Sequence, residues 1–373
     1  GFIYCQGRLD PGKINELLIK EYGRIILKKG YKEHSDLVRG VKLYRSVPKE
    51  KKKSLYKCVK EVVHLFRYWN AFPDTYFRFG MFMRDYTDMK KMESYIPQAA
   101  YYRYSVDMDP RYHLLIDDKI LFHDLMSHYG LPVPYRYFTF RGGDFRNGSD
   151  LMTDQQVDTV IGSITDERIF VKCFTGGGAS GVSIFSRMAD GHFEDFDGER
   201  VSANMIREKY KGHDYFFEKQ LIQDLNLGQF NPETVNTIRV LTYKDKVVSA
   251  AVRFGGKGSF VDNTAKGGVA VSLDINTGKL GEYGMREYDL NHYTEHPDSH
   301  IRFENTVVPS WPKVKTLVEK TLKYFPYYNS VGFDIATTNE GPIIIEINTG
   351  AGIYLSQMGK EEGLAKQFII PEN

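Results

Sequence analysis

The chain is poor in cysteine. Its three, Cys5, Cys58 and Cys173, stand far apart in 373 residues. There is no CxxC pair, no Cys/His cluster and no even disulfide framework, which argues against a stapled extracellular scaffold and suits a reducing cytoplasm. Long apolar runs are missing as well. None approaches the roughly 18 residues needed to span a bilayer, and no secretory signal is visible. The first residue is Gly1, not Met, so removal of a preceding segment stays open. A dominant charge is also lacking. Fifty Lys and Arg against 48 Asp and Glu leave a formal charge of +2, which argues against nucleic-acid binding as the main function.

Hydrophobic residues make up 42% of the chain and charged residues 26%, so a sizeable core can form and disorder is not expected. The length suits one multi-lobed enzyme or about two or three packed subdomains. The basic run KEKKK at 49–53 reads as a solvated loop or helix start, with contact to an anionic surface as the alternative. Many of the 26 tyrosines and 24 phenylalanines fall between Phe66 and Tyr104. They read as a packing layer, with a sugar-stacking surface as the alternative.

Apolar residues recur at helical spacing in 12–30 (Ile14, Leu17, Leu18, Tyr22, Ile25, Ile26). They do so again at Leu55, Val59, Val62, Val63 and Phe66, so the first hundred residues read as mostly helical. DDKILFHDLMSHYGLPVP is a further helix, lined by Leu121, Phe122, Leu125, Met126 and Tyr129. Gly130 stops it, and Pro132 and Pro134 prevent its continuation. From about Arg168 the period changes to two. RIFVKCF and GVSIFS around a glycine-rich turn read as a hairpin, and DYFFEKQLI, TIRVLTY, KVVSAAVRF, GVAVSLDI, SVGFDIATT and PIIIEIN as further strands. Val314, Leu317, Val318, Leu322 and Phe325 mark a last helix. The pattern is α+β, without a regular βαβ series.

Four groups of residues could carry chemistry. Lys172 ends a strand ahead of TGGGASG (Thr175, Gly176, Gly177, Gly178, Ala179, Ser180, Gly181). Glycines let backbone N–H groups approach phosphate oxygens without a Cβ in the way. No GK[ST] closes the turn and a strand follows it, so it is neither a P-loop nor a dinucleotide fingerprint. Asp334, Glu346 and Asn348 lie on adjacent strands among apolar residues, and their oxygens would suit a hard cation such as Mg²⁺. Salt-bridged edge carboxylates are the alternative. In FFEKQLI, polar Glu218, Lys219 and Gln220 lie between apolar residues that include Leu221. Such a strand could meet an adenine edge, with Asp224 near the ribose. Arg239 and Arg253 sit in strands with apolar neighbours and would face either an anionic group or a structural carboxylate.

Taken in order from Asp117 to Gly352, these features resemble the ATP-grasp superfamily. The features are Lys119, Lys172, the turn, Glu218 to Leu221, Arg239, Asp334 and the Glu346–Asn348 strand. FEKQLIQDLNLGQFNPETVNTIRVLT, VRFGGKGSFVDNTAKGGVAVSLD and VGFDIATTNEGPIIIEINTG look more narrowly like the sugar-transfer-associated ATP-grasp family. YWNAFPDTYFRFGMFMRDY is similar to that family's leader.

The resemblance implies an α+β ATP-grasp fold with a helical, aromatic-rich N-terminal extension. The extension would cover 1–105, and a linker helix with the N-terminal part of the ATP-grasp module 106–165. The small subdomain with the lid would cover 166–222, and the large subdomain 223–373. It implies ATP and Mg²⁺ as cofactors. Lys119, Lys172 and the glycine turn would hold phosphates, Glu218 to Leu221 adenine, and Asp334, Glu346 and Asn348 the metal. Arg239 would steady the transferred phosphoryl group, with Lys172 and Arg253 beside it. Arg253, Asp262, Asn263 and Lys266 would line the acceptor pocket.

The activity so implied is ATP-dependent joining of a carboxylate to an amine through an acyl phosphate. Family context suggests surface-polysaccharide chemistry in the bacterial cytoplasm, for example an amino acid joined to a uronic acid. A kinase on the same scaffold and a nucleotide-binding module without turnover are the alternatives. Many ATP-grasp enzymes begin with a Rossmann-like lobe. The helical, aromatic start of this chain departs from that, so the substrates do not follow from better-known relatives.

Overall fold

The computed structural model describes residues 32–104, 115–116, 118–173, 182–258, 262 and 268–368. The periodic segment 12–30, the glycine turn 175–181, Asn263 and Lys266 lie outside the described residues.

Two antiparallel sheets organise the chain. The first contains β1 (Arg136–Arg141), β2 (Asp144–Asn147), β3 (Asp150–Met152), β4 (Arg168–Cys173), β5 (Val182–Arg187), β6 (Phe193–Glu194) and β7 (Tyr215–Lys219), in the order β3-β2-β1-β7-β4-β5-β6. Phe138, Phe140, Phe145, Val171, Phe185 and Phe217 form its buried face. The helices Asp154–Ser163 and Ala203–Lys209 add Val157, Ile161 and Ile206 to that core. A capping box between Thr153 and Gln156 starts the first of these helices. The sheet begins at 136, ahead of Arg168, where the period-two pattern is first read. Strand β2 carries mostly polar residues and β3 has only three residues, so no alternation marks either.

The second sheet contains β8 (Thr237–Tyr243), β9 (Lys246–Phe254), β10 (Val269–Leu273), β11 (Leu280–Met285), β12 (Gly332–Thr338) and β13 (Gly341–Asn348). Its order is β11-β10-β9-β8-β12-β13. One face packs Ile238, Val240, Val252, Val271, Phe333 and Ile335 against the helices Lys119–His128 and Trp311–Leu322. Asp118 caps the first of these helices by accepting from the Ile120 and Leu121 N–H groups. Gly130, at φ +61°, follows its end. The opposite face carries the charged residues described below. It is partly covered by the helix Ile353–Gln357 and the leader.

The leader is helical, as expected, over Lys32–Ser46, Leu55–Trp69, Asp74–Arg78, Met89–Ser94 and Gln98–Tyr104. Its aromatics are chiefly core: Tyr76, Phe82 and Tyr101 are fully buried. It is tied to the second sheet's side of the molecule. Gln357 exchanges two hydrogen bonds with the Ile96 backbone at 2.8 and 3.0 Å, and Tyr101 bonds the Ser330 hydroxyl at 2.7 Å. One expectation fails here and another holds only in part. The helix Leu55–Trp69 buries Cys58, Glu61, Leu65 and Trp69, and leaves Leu55 and Val59 exposed. The cause is a buried polar group: Glu61 accepts from both Lys53 and Tyr76 at 2.7 Å, which turns its side of the helix inward. In the run 49–53, Lys49, Glu50 and Lys51 are exposed in a turn, as a solvated loop requires, and Lys53 alone is buried. Among the described residues no helix is long and apolar enough to cross a membrane.

Candidate nucleotide and metal site

Register places the charged residues of the second sheet in one row. Asp334 on the inner strand β12 pairs with Arg239 on β8 and Glu346 on β13, while Arg239 pairs with Ala251 on β9. Two residues along, Thr237 pairs with Arg253, and Arg253 with Ala270. Directly paired residues of antiparallel strands share a face, so all of these project from the same side. A bulge after Asp334 restores the apolar register beyond it.

Both arginines are committed to carboxylates. Arg239 grips Asp334 in a fork, Nε to Oδ1 at 2.5 Å and a terminal nitrogen to Oδ2 at 2.9 Å. Arg253 reaches the same Oδ2 at 3.1 Å and Asp262 at 3.3 Å. It also donates twice to Thr237 Oγ1, at 3.0 and 2.7 Å. Thr237 in turn donates its N–H to Asp262 at 2.9 Å and its hydroxyl to the same oxygen. Thr237 was not singled out in the sequence, although it stands two residues before Arg239 on one strand face, which is the signal that could have found it.

The electrostatics follow from burial and these partners. Burial alone would raise the Asp334 carboxyl, and the two guanidinium groups bring it down to about 2. Burial and the adjacent Asp334 charge push Glu346 up. Burial also pushes Asp262 up, against the pull of Arg253. Asn348 donates its amide to Glu346 at 2.8 Å, which leaves its carbonyl oxygen for another partner. An ionised carboxylate has about four acceptor positions, so Asp334 keeps capacity beyond its arginines. The donor set therefore suits a divalent cation: three oxygen-bearing side chains in one row, with a carboxylate whose charge the protein alone does not balance.

On the first sheet Lys172, paired with Phe216 in the register, extends to Glu218 on β7 and meets Oε2 at 2.6 Å. Lys119 opens the helix Lys119–His128. Burial lowers its basicity, and it feels Glu346, Lys172 and Glu218 in turn. A side chain from the helix thus lies within electrostatic reach of both sheets. The structure brings Lys119, Lys172, Glu218 and Glu346 together, with Asp334, Asn348, Arg239 and Arg253 continuing the row.

Other expected residues are placed differently. Lys219 points to the exposed side of β7, with Asp166 the nearest carboxylate at 3.7 Å. Gln220 and Leu221 follow β7 and are half-buried. Asp224, expected near a ribose, caps the short helix Leu225–Gly228 by accepting from the Asn226 and Leu227 N–H groups. That use of Oδ1 follows from its position at the helix start. His123 and His296 are satisfied by the carbonyls of Pro134 and Gly255, at 2.9 and 3.0 Å.

Two antiparallel sheets with flanking helices form an α+β fold of the ATP-grasp class. The chain belongs to the sugar-transfer associated ATP-grasp family, whose family model matches residues 100–369. Among solved structures it is similar to ATP-grasp ligase PsnB complexed with minimal precursor, Mg and ADP. That match has 14% identity over 65% of this chain and 52% of the other, with a TM-score of 0.33. It is also similar to D-alanine–D-alanine ligase from Bacillus anthracis, at 12% identity over 64% and 58%, TM-score 0.34. A RimK domain ATP-grasp protein from Sphaerobacter thermophilus matches at 12% identity over 69% of each chain, TM-score 0.38. The chain spans 52 to 59% of the length of PsnB and the Bacillus ligase. No curated protein matches it in sequence.

Proposed function

We propose that this protein is an ATP-dependent carboxylate–amine ligase acting in sugar or surface-polysaccharide modification in the bacterial cytoplasm, with an amino acid joined to a uronic acid as the leading case. The observation that carries the reading is the environment of Lys119, which is shared by Lys172 and Glu218 of one sheet and Glu346 of the other. Lys119 and Lys172 would hold ATP phosphates, with residues 175–181 closing over them. Glu218 and the backbone near Leu221 would meet adenine. Asp334, Glu346 and Asn348 would hold Mg²⁺, which supplies charge neutralisation between phosphate oxygens. Arg239 and Arg253 anchor Asp334 and would steady anionic oxygen at the reacting end. Asp262, with Asn263 and Lys266, is assigned to the acceptor side.

In the first step the substrate carboxylate attacks the γ-phosphorus and ADP leaves, giving an acyl phosphate. In the second an amine attacks the acyl carbon, phosphate leaves, and the nitrogen loses a proton. A free carboxylate is a poor acyl donor because oxide is a poor leaving group; phosphorylation replaces it with phosphate. The chain's own contribution is positioning and preorganised charge. No nucleophilic side chain is required.

The test is ADP release by purified protein with Mg·ATP, screened over amino acids, uronic acids and nucleotide-linked uronic acids, with product masses measured. An amide equal to both parts less water supports the ligase. A stable product carrying an added phosphoryl group makes the protein a kinase. Nucleotide binding with no ADP from any pair makes it a non-catalytic module.

A further inference from the structure

We infer that a second ligand site, for a sugar bearing an acidic group, lies between the leader and β11. A cavity of about 320 Å³ opens there, walled by Phe79 and Tyr86 of the leader and by Tyr283 and Met285 of β11, with Lys91 and Lys360 on its lining. Its volume is at the lower end of small-ligand sites. It is separate from the row of charged residues yet on the same sheet face. Arg253 pairs with Ala270, and Ala270 with Met285. The cavity wall therefore stands two strands from Arg253, on the order of 10 Å away. Leu355 and Met358 pack over Ala251 and Ala270 between the two places.

The lining selects the ligand chemistry. Neither Lys91 nor Lys360 makes an ion pair among the described residues, and Asp274 acts on Lys360 only at longer range, so both ammonium groups keep donors for an anion. Lys91 stands 5.6 Å from the centre of the Tyr86 ring, and burial lowers the basicity of Lys360. A bound acid group would answer both. The aromatic walls offer flat faces for the C–H side of a sugar ring. Tyr283 is braced for this by His292, stacked on it at 4.0 Å and 10°. Asp85 also lines the cavity. It would accept from sugar hydroxyls, which an aromatic acid lacks, so the set favours an acidic sugar over an aromatic carboxylate. The sugar identity rests on the substrate reading proposed above, while the cavity and its lysines stand without it. At that spacing the bound group would be a part of the substrate remote from the reacting carboxylate, a second unit that sets specificity.

The test is saturation-transfer NMR with D-glucuronate, D-glucose, benzoate and inorganic phosphate on the whole protein, without nucleotide. Glucuronate should bind at least tenfold more tightly than glucose, benzoate or phosphate. Lys360→Gln and Tyr283→Ala should each weaken it at least tenfold, with Mg·ATP affinity and thermal midpoint retained. Glucuronate that fails to bind, or binds both variants like the parent, overturns the site. Equal binding of glucose overturns the role of the lysines, and equal binding of benzoate or phosphate overturns the sugar. ADP release, measured separately, reads the ligase proposal. Loss of one result therefore does not imply loss of the other.

Discussion

The two sheets carry different charge balances where they meet. On the first, the Lys172 ammonium is matched by the Glu218 carboxylate, while Lys119, on a helix packed against the second sheet, lies within reach of both. On the second, the guanidinium groups of Arg239 and Arg253 face three carboxylates, Asp262, Asp334 and Glu346. The first pair is balanced until Lys119 joins it, an arrangement that would suit phosphate oxygens; the second has an excess of carboxylate and would suit a cation. A magnesium–triphosphate complex presents both needs at once, and the comparison teaches that neither sheet alone satisfies it.

The largest expected effect tests how fully the second sheet's charges are locked. Asp334→Ala strands two arginines on a buried face and should cost about 3–5 kcal/mol in urea unfolding, with ADP formation lost. Lys172→Ala, on a side chain about one-quarter exposed, should cost about 1–3 kcal/mol. Equal losses would break the contrast between the sheets. Gly332→Ala should cost about 1–3 kcal/mol, because its Cβ would stand 2.5 Å from that of Ala351 and crowd the Arg239 side chain. Circular dichroism melting reads this loss.

Glu346→Gln tests the negative excess directly. Removing a charge that burial and Asp334 both oppose should stabilise the nucleotide-free protein by about 1 kcal/mol at neutral pH. The same change should abolish the magnesium dependence of nucleotide binding. The linkage signs of the two carboxylates differ. Asp334, held near 2, contributes stability above its unfolded value of about 3.8, and that contribution is lost as pH falls toward 2. Glu346, pushed up, opposes folding above its unfolded value of about 4.5, and acid relieves this. Magnesium affinity should therefore fall on acidification while pH is still above the ordinary glutamate range, as metal titrations at stepped pH would show.

On the other side, burial lowers Lys119. Nucleotide affinity should decline as pH rises toward, but before reaching, the ordinary lysine value of 10.5. Lys119→Arg should remove that decline in a fluorescence titration. The smallest effect belongs to the exposed Lys366–Glu362 pair. Lys366→Ala should change unfolding stability by less than about 0.5 kcal/mol.

Much of the fold was legible because the second sheet alternates cleanly or runs apolar. The strands TIRVLTY and KVVSAAVRF coincide with β8 and β9, and the helix marked by Val314, Leu317 and Val318 buries those residues. Strands β2 and β3 of the first sheet were not legible, since β2 holds one apolar residue and β3 is too short to show a period. The buried face of Leu55–Trp69 was misread because Lys53 and Tyr76, close in space, outweigh the local apolar pattern.

The sequence by itself determined which residue types could meet phosphate and metal, and it put Glu346 and Asn348 on one side of one strand. Local spacing is enough for that, because strand periodicity is a property of adjacent residues. Only the tertiary structure decided that Arg239 and Arg253 both turn to Asp334, that Asp224 is spent as a helix cap, and that Lys119 is within reach of both sheets. Those outcomes depend on which strands become neighbours, and burial then makes each ion's charge depend on the partners it finds.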